Sequence, residues 1–374
     1  MNKILFYLSY YSDYGGIERV TTIITSALNK RGYDISILTH KYKDLKVALN
    51  GVTIYQMPND TVWECSENYQ YAEEVVSKNN FDTIVYQDSY APNENIVCHI
   101  AKKFNIKLLV FEHNSPLYIY NKRGLDPITT VKGFLRRALH PYLLYKEIQR
   151  KRKLYDACEK YILLSKYNID EFASLTKVSD TSKLDYINNP LSLSDKDDSG
   201  VKKENAILYV GRLTKTKGVH KMLQAWKKIQ TELPDWRFDI VGDGEDRKML
   251  EELVLKDKIE RVTFYGFDNP MSYYKRSKIF WMASRFEGWG MTLLESMTRG
   301  CVPIAYSSFS AIYDIIDSGE NGELVEYNNA DVFANKTIEI AKDEVKRKQM
   351  AICAQNKVKK FDLEEIINEW IKIL

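Results

Sequence analysis

SRFEGWGMTLLESMTRGCVP, residues 284–303, is the stretch on which the fold turns. Just ahead of it, KIFWMAS (278–284) is a short apolar run that reads as a buried strand, and CVPIAYS (301–307) is another. Between them TLLESMTRG carries apolar residues at helical spacing and stops at Gly300. Strand, crossover helix and strand make the repeating unit of a parallel sheet. Two glutamates, Glu287 and Glu295, flank Gly288, Trp289 and Gly290 in the turn before the helix. Thr292 and Glu295 have the spacing of a capping box, which accounts for Glu295 without any ligand. That leaves Glu287 and the glycines unexplained. A phosphate or sugar docked on the amides of Gly290, Met291 and Thr292, at the positive end of the helix dipole, explains both.

The same rhythm extends outward in both directions. Towards the N-terminus it restarts at AILYVGR (206–212) and runs through WRFDIVGDG and VTFYGF; a first series comprises KILFYLS, DISILTH, VTIYQM, FDTIVYQ, IKLLVFEH, YILLS and KLDYINNP. Between the series, LSLSDKDDSGVKKEN (191–205) has little to bury and reads as an exposed connection. The expected class is α/β, with two Rossmann-like, doubly wound parallel-sheet domains: 1–190, a linker at 191–204, and 205–354. Residues 355–374, ending in LEEIINEWIKIL, are expected to pack back on the first domain. A chain of 374 residues, 44% hydrophobic, has material for two cores.

Composition removes several classes of function. The 54 Lys+Arg nearly balance the 51 Asp+Glu, so no whole-chain field points to nucleic acid. Five dispersed cysteines without a CxxC pair argue against a disulfide framework and a zinc site, and favour a reducing cytoplasm. MNKILFYLSYYSD reads as a first strand rather than an export signal, and no apolar run approaches the ~18 residues of a spanning helix. HExxH, GxxxxGK[ST] and GxSxG are missing. Asp195-Lys196-Asp197 matches the DxD pattern of metal-dependent transferases, but its place in the polar linker makes it a solvated charge run, and no metal site is expected.

Ligands of open α/β sheets bind beyond the carboxyl ends of the strands, so residues there are the candidates. Gly15 and Gly16 sit between the first strand and first helix, where bare amides can meet an anion or sugar hydroxyl, or simply form a turn. In VGRLTKTKG (210–218), Arg212 and Lys217 follow a strand, with Gly211 and Gly218 permitting a tight path. Two cations there suit a diphosphate, Arg through its planar fork and Lys as a point charge. His113 closes the strand IKLLVFEH; His40, His99, His140 and His220 lack comparable company and read as structural.

GGIER at 15–19, His113 after a strand, GRLTKTKG at 211–218, and Glu287 with Glu295 seven residues apart together resemble the retaining glycosyltransferases of family 4, which have the GT-B fold. VGDGEDRKMLEE and VTFYGF also look like that family's second domain. The resemblance implies two domains facing across a cleft and metal-independent transfer of a hexose or N-acetylhexosamine, with retention, from a nucleotide sugar, UDP being expected over GDP. No cofactor beyond that donor is implied. By position, Arg212 and Lys217 would neutralise the leaving diphosphate, Glu295 would bind the ribose, and Glu287 would hold the hexose. The amides after Gly288 would contact sugar or phosphate, Gly16 would lie near the phosphates, and His113 would sit by the hexose. Trp289 stands where members often have a smaller residue, leaving the sugar open. Competing expectations are a nucleotide-sugar 2-epimerase of the same fold and a non-catalytic nucleotide- or saccharide-binding module.

Between Lys132 and Lys153, eight Lys/Arg face one acid, Glu147, interleaved with apolar and aromatic residues. Two amphipathic helices meeting near Pro141 are expected, with Arg136, Arg137, Arg150, Lys151, Arg152 and Lys153 turned to an anionic membrane surface or a lipid diphosphate acceptor. The corresponding location is cytoplasmic, peripheral on the inner face of the membrane, in the synthesis of a surface polysaccharide or lipid-linked oligosaccharide.

Overall fold

A computed structural model describes residues 2–11, 15–43, 51–87, 93–121, 131–191 and 201–374. The chain divides into two compact units, Met1–Pro190 with Leu363–Leu374, and Leu191–Asp362.

Seven strands build the sheet of the first unit: β1 Lys3–Tyr11, β2 Asp34–Tyr42, β3 Val52–Gln56, β4 Thr83–Tyr86, β5 Lys107–Phe111, β6 Lys160–Leu163 and β7 Leu184–Tyr186. Their order is β3-β2-β1-β4-β5-β6-β7, and every pairing is parallel. Side chains alternate across a strand, so β1 sends Ile4, Phe6 and Leu8 to one core and Leu5 and Tyr7 to another. The helix Leu363–Ile373 covers the first of these faces. Its Trp370 stacks on Phe111 at 4.0 Å and 5°, and lies 5.9 Å from Phe6.

The second unit has six parallel strands: β8 Glu204–Val210, β9 Arg237–Val241, β10 Val262–Gly266, β11 Ser277–Met282, β12 Val302–Tyr306 and β13 Glu323–Val325. Their order, β10-β9-β8-β11-β12-β13, reverses direction between β8 and β11. Such a reversal opens a crevice at the strand ends, and the loops leaving β8 and β11 are the two that border it.

One expectation about helices fails. Val131–Ala157 is a single 27-residue helix running through Pro141, not two helices meeting there. Proline removes one backbone hydrogen bond and strains the preceding turn. Flanking contacts offset that loss: His140 is buried with Nε2 donating to the Ile119 carbonyl at 3.1 Å, and the half after Pro141 is pinned by buried ion pairs. Asp195 and Asp197 lie outside the described residues.

Candidate active site

The loops after β8 and β11 are locked together. Gly218, at φ +69, is packed so closely that a Cβ there would stand 2.1 Å from the Ala283 carbonyl oxygen, and the Arg285 amide donates to the Thr216 carbonyl at 2.7 Å. Only glycine supplies both the left-handed backbone and the clearance. This approach carries Lys217 to Glu287: Nζ donates to Oε1 at 2.6 Å, and Ser284 Oγ donates to the same oxygen at 2.7 Å. Arg212 is exposed on the same loop, and no hydrogen bond or ion pair of its guanidinium is seen among the described residues. Beneath it the buried Tyr209 hydroxyl donates to the Arg212 carbonyl at 2.9 Å; burial, then Glu287, pushes that phenol well above its ordinary range.

Gly290, at φ +92, is the N-cap of the helix Met291–Thr298, and no side chain caps it. The capping-box explanation of Glu295 is therefore set aside, because Thr292 already lies inside the helix. Glu295 is instead buried, 3% exposed, and accepts a hydrogen bond from the Tyr274 hydroxyl at 3.0 Å. A buried carboxylate is costly unless hydrogen-bonded, so Tyr274 fixes its position. Gly288 is half-buried beside it. Trp289 is buried and meets Phe361 edge-on at 5.3 Å, so its ring packs within this unit. The two loops and the helix that follows thus bring together an uncapped helix start, one exposed guanidinium, an ion pair and a fixed carboxylate. That is a set of groups suited to a diphosphate ester with hydroxylated sugars.

The first unit holds the remaining candidates. Gly15 caps the helix Gly16–Lys30 at φ +150, and a Cβ on it would stand 1.9 Å from Glu18 Oε2. The carboxylate of Glu18 therefore already covers this helix start, in competition with the anion expected at Gly15 and Gly16. His113, just after β5, is 7% exposed, and neither ring nitrogen has a hydrogen-bond partner among the described residues. Burial lowers its pKa to about 4, so the imidazole is neutral at ordinary pH.

The basic helix departs most from expectation. Lys151 is 1% exposed and forms ion pairs with Glu112, the residue before His113, and with Glu147 at 3.4 Å. Arg150 donates to Glu147 Oε1 at 2.8 Å, and Arg152 Nε donates to the Thr176 carbonyl. Tyr161 completes the cluster, its hydroxyl donating to Glu112 at 2.8 Å. Burial alone would raise the Glu147 pKa, but Lys151 and Arg150 outweigh it and hold the carboxyl below its usual value. Lys151 is thus no surface cation, and Arg150 and Arg152 are turned to protein partners. Arg137 and Lys153 are exposed; the side chain of Arg136 lies outside the described residues. Alongside those cations the helix shows large apolar side chains outward: Phe134, Leu135, Leu139, Tyr142, Leu143 and Tyr145 are 46–61% exposed. Among the described residues no helix is long and apolar enough to cross a membrane, and no three His, Cys, Asp or Glu side chains are gathered to hold a metal.

The sequence reading missed Tyr274, Tyr209 and Ser284, which orient the site, and the Glu112–Lys151 pair. A tyrosine in MSYYKR or a lysine in a basic run carries no local mark of such a partner.

Comparison with known proteins agrees with this fold. Residues 14–195 match the family described as Glycosyltransferase Family 4, and residues 194–357 match Glycosyl transferases group 1. An uncharacterized glycosyltransferase of Haemophilus influenzae is 27% identical over the full length of both chains. A Campylobacter jejuni protein, GalNAc-alpha-(1->4)-GalNAc-alpha-(1->3)-diNAcBac-PP-undecaprenol alpha-1,4-N-acetyl-D-galactosaminyltransferase, is 26% identical over 100% of this chain and 98% of its own. The crystal structure of Anabaena Alr3699/HepE in complex with UDP and glucose shares the fold, with a TM-score of 0.72 at 17% identity over 100% of this chain and 99% of that one. The chain belongs to the GT-B glycosyltransferases of family 4.

Proposed function

We propose that this enzyme is a retaining, metal-independent glycosyltransferase that moves a hexose or N-acetylhexosamine from a UDP-sugar to a saccharide linked through diphosphate to a lipid, in the synthesis of a surface glycan. The observation that carries the donor half is the pairing of Lys217 with Glu287 beside the exposed Arg212 and the uncapped start of Met291–Thr298. A nucleoside diphosphate is already a good leaving group, so the catalytic demand is for fixed positive charge where the phosphate oxygens gain electrons. Arg212, Lys217 and the amides following Gly290 meet it. Glu295 accepts from ribose hydroxyls, and Glu287 from the sugar while Lys217 turns to phosphate.

The acceptor follows the Campylobacter relative, whose name specifies an undecaprenyl-diphosphate saccharide. The outward apolar side chains of Val131–Ala157 support attachment to the inner face of a membrane, where such an acceptor is held.

A thermal-shift panel of nucleotide sugars tests the donor half. One UDP-sugar is expected to stabilise the chain, and Arg212→Ala and Glu295→Ala to reduce that shift. Equal shifts in parent and variants overturn the site. NMR of the stabilising donor, alone and with a lipid-diphosphate saccharide, then reads the reaction: a product of unchanged anomeric configuration is expected, whereas epimerisation of the donor without acceptor identifies a 2-epimerase.

A further inference from the structure

A single line of exposed side chains runs along Val131–Ala157. Leu139, Tyr142, Lys146, Gln149, Lys153 and Asp156 recur at three- and four-residue spacing and so share one face of the helix. The line changes character along its course. Its first two members are apolar and its last four polar, and Lys146, whose Nζ lies 4.8 Å from the centre of the Tyr142 ring, marks the change.

The polar end opens on a cavity of about 720 Å³ between this helix and Glu94–Phe104. Lys102, Arg152 and Lys153 are the cations in its wall and Asp156 is the carboxylate there, with the side-chain amides of Asn105 and Gln149 beside them. Arg152 gives only Nε to a protein partner, the Thr176 carbonyl. Glu94 stands behind Lys153: burial holds its carboxyl above the ordinary range, against the pull of Arg150 and Lys153. Counting Glu94 with Asp156, the cations still exceed the acids. The wall is therefore mixed. It offers positive charge for a phosphate and, at Asp156, Asn105 and Gln149, acceptors for hydroxyl groups attached to that phosphate.

We propose that this cavity holds the head group of a phospholipid whose phosphodiester carries hydroxyl donors, phosphatidylglycerol being the simplest. The inference rests on the membrane attachment proposed above for the same helix, and it names the lipid that the attachment selects. The order of residues along the line suits a lipid surface: Leu139 and Tyr142 enter the acyl boundary, and Lys153, about 16 Å beyond Tyr142 along the helix, stands at phosphate. Phosphate oxygens accept charge-assisted hydrogen bonds from Lys102, Arg152 and Lys153, while the glycerol hydroxyls donate to Asp156 and Gln149. A free phosphodiester would leave the apolar end of this face unused, so the occupant is a lipid.

Calorimetric titration of the full chain carrying Arg212→Ala, which silences the other candidate phosphate site, reads the cavity with dihexanoyl-phosphatidylglycerol kept below its micelle concentration. Saturable binding is expected, weakened about tenfold or more by Lys102→Ala with Lys153→Ala and retained in Lys153→Arg, as loss of charge-assisted hydrogen bonds requires. Dihexanoyl-phosphatidylcholine, whose trimethylammonium group has no hydrogen to give Asp156, is expected to bind about tenfold more weakly. Glycerophosphoglycerol, the same head group without acyl chains, tests the source: binding as tight as that of the lipid assigns the cavity to a soluble phosphodiester and overturns the proposal. No binding of phosphatidylglycerol, equal binding of phosphatidylcholine, or indifference to the double substitution overturns it too. Flotation of the parent chain with phosphatidylglycerol vesicles is read separately. Its failure removes the membrane attachment, whereas the calorimetry decides the cavity.

Discussion

Lys217 and Glu287, 70 residues apart in the chain, meet at 2.6 Å because Gly218 lets one loop lie against the end of β11. The pair is half-buried, with side chains 23% and 14% exposed, so it contributes only about 1 kcal/mol to the fold. In the proposed function its value lies in holding a cation ready for phosphate. Lys217→Ala is therefore expected to lower kcat by about 10²- to 10³-fold while shifting Tm by no more than a few degrees. Steady-state release of the nucleotide, beside a melting curve, checks both halves.

Tyr274→Phe removes one donor from a buried carboxylate while keeping the ring. Glu295 then loses its fixed orientation, and KM for the donor is expected to rise about tenfold with kcat little changed. An equal fall in kcat and kcat/KM would instead assign Tyr274 to the transition state.

The buried His113 makes stability depend on pH in a definite direction. Its folded pKa, about 4, lies below the ordinary value of 6.5, so the unfolded chain binds the extra proton across that interval. Stability is full above pH 6.5 and falls as pH drops towards 4, by about 3 kcal/mol in the limit of complete burial. His113→Gln is expected to flatten Tm between pH 6.5 and 5 relative to the parent.

On Val131–Ala157 the two kinds of residue separate two outcomes. Leu139→Glu with Tyr142→Glu is expected to abolish flotation with anionic vesicles and leave Tm nearly unchanged, since both side chains are exposed. Lys151→Met strands Glu112 in the interior and is expected to cost about 3–5 kcal/mol, read by denaturant unfolding.

These contrasts show what a sequence carries and what it does not. The strands of both sheets were legible from apolar runs between turn residues, because burial on both faces demands such runs. Arg212, Lys217 and Glu287 were legible as strand-end residues. Lys151 was not: counting cations along 132–153 gives no direction, and only the phase of the helix against Glu112 decides which point inward. Thr292 has the right spacing to Glu295 for a cap, but Gly290 starts the helix earlier. β13, three residues long, is too short to announce itself, and Tyr274 is tied to Glu295 by a contact across 21 positions.

The stacking of Trp370 on Phe111 has a consequence for how the protein is born. The first unit leaves the ribosome early, yet the layer over Ile4, Phe6 and Phe111 is completed only by residues 363–373. Its nascent form must wait, one hydrophobic flank uncovered, while the whole second unit is translated and folds. A chain cut at Asp362 would keep that flank exposed, and aggregation rather than loss of chemistry would be its first symptom.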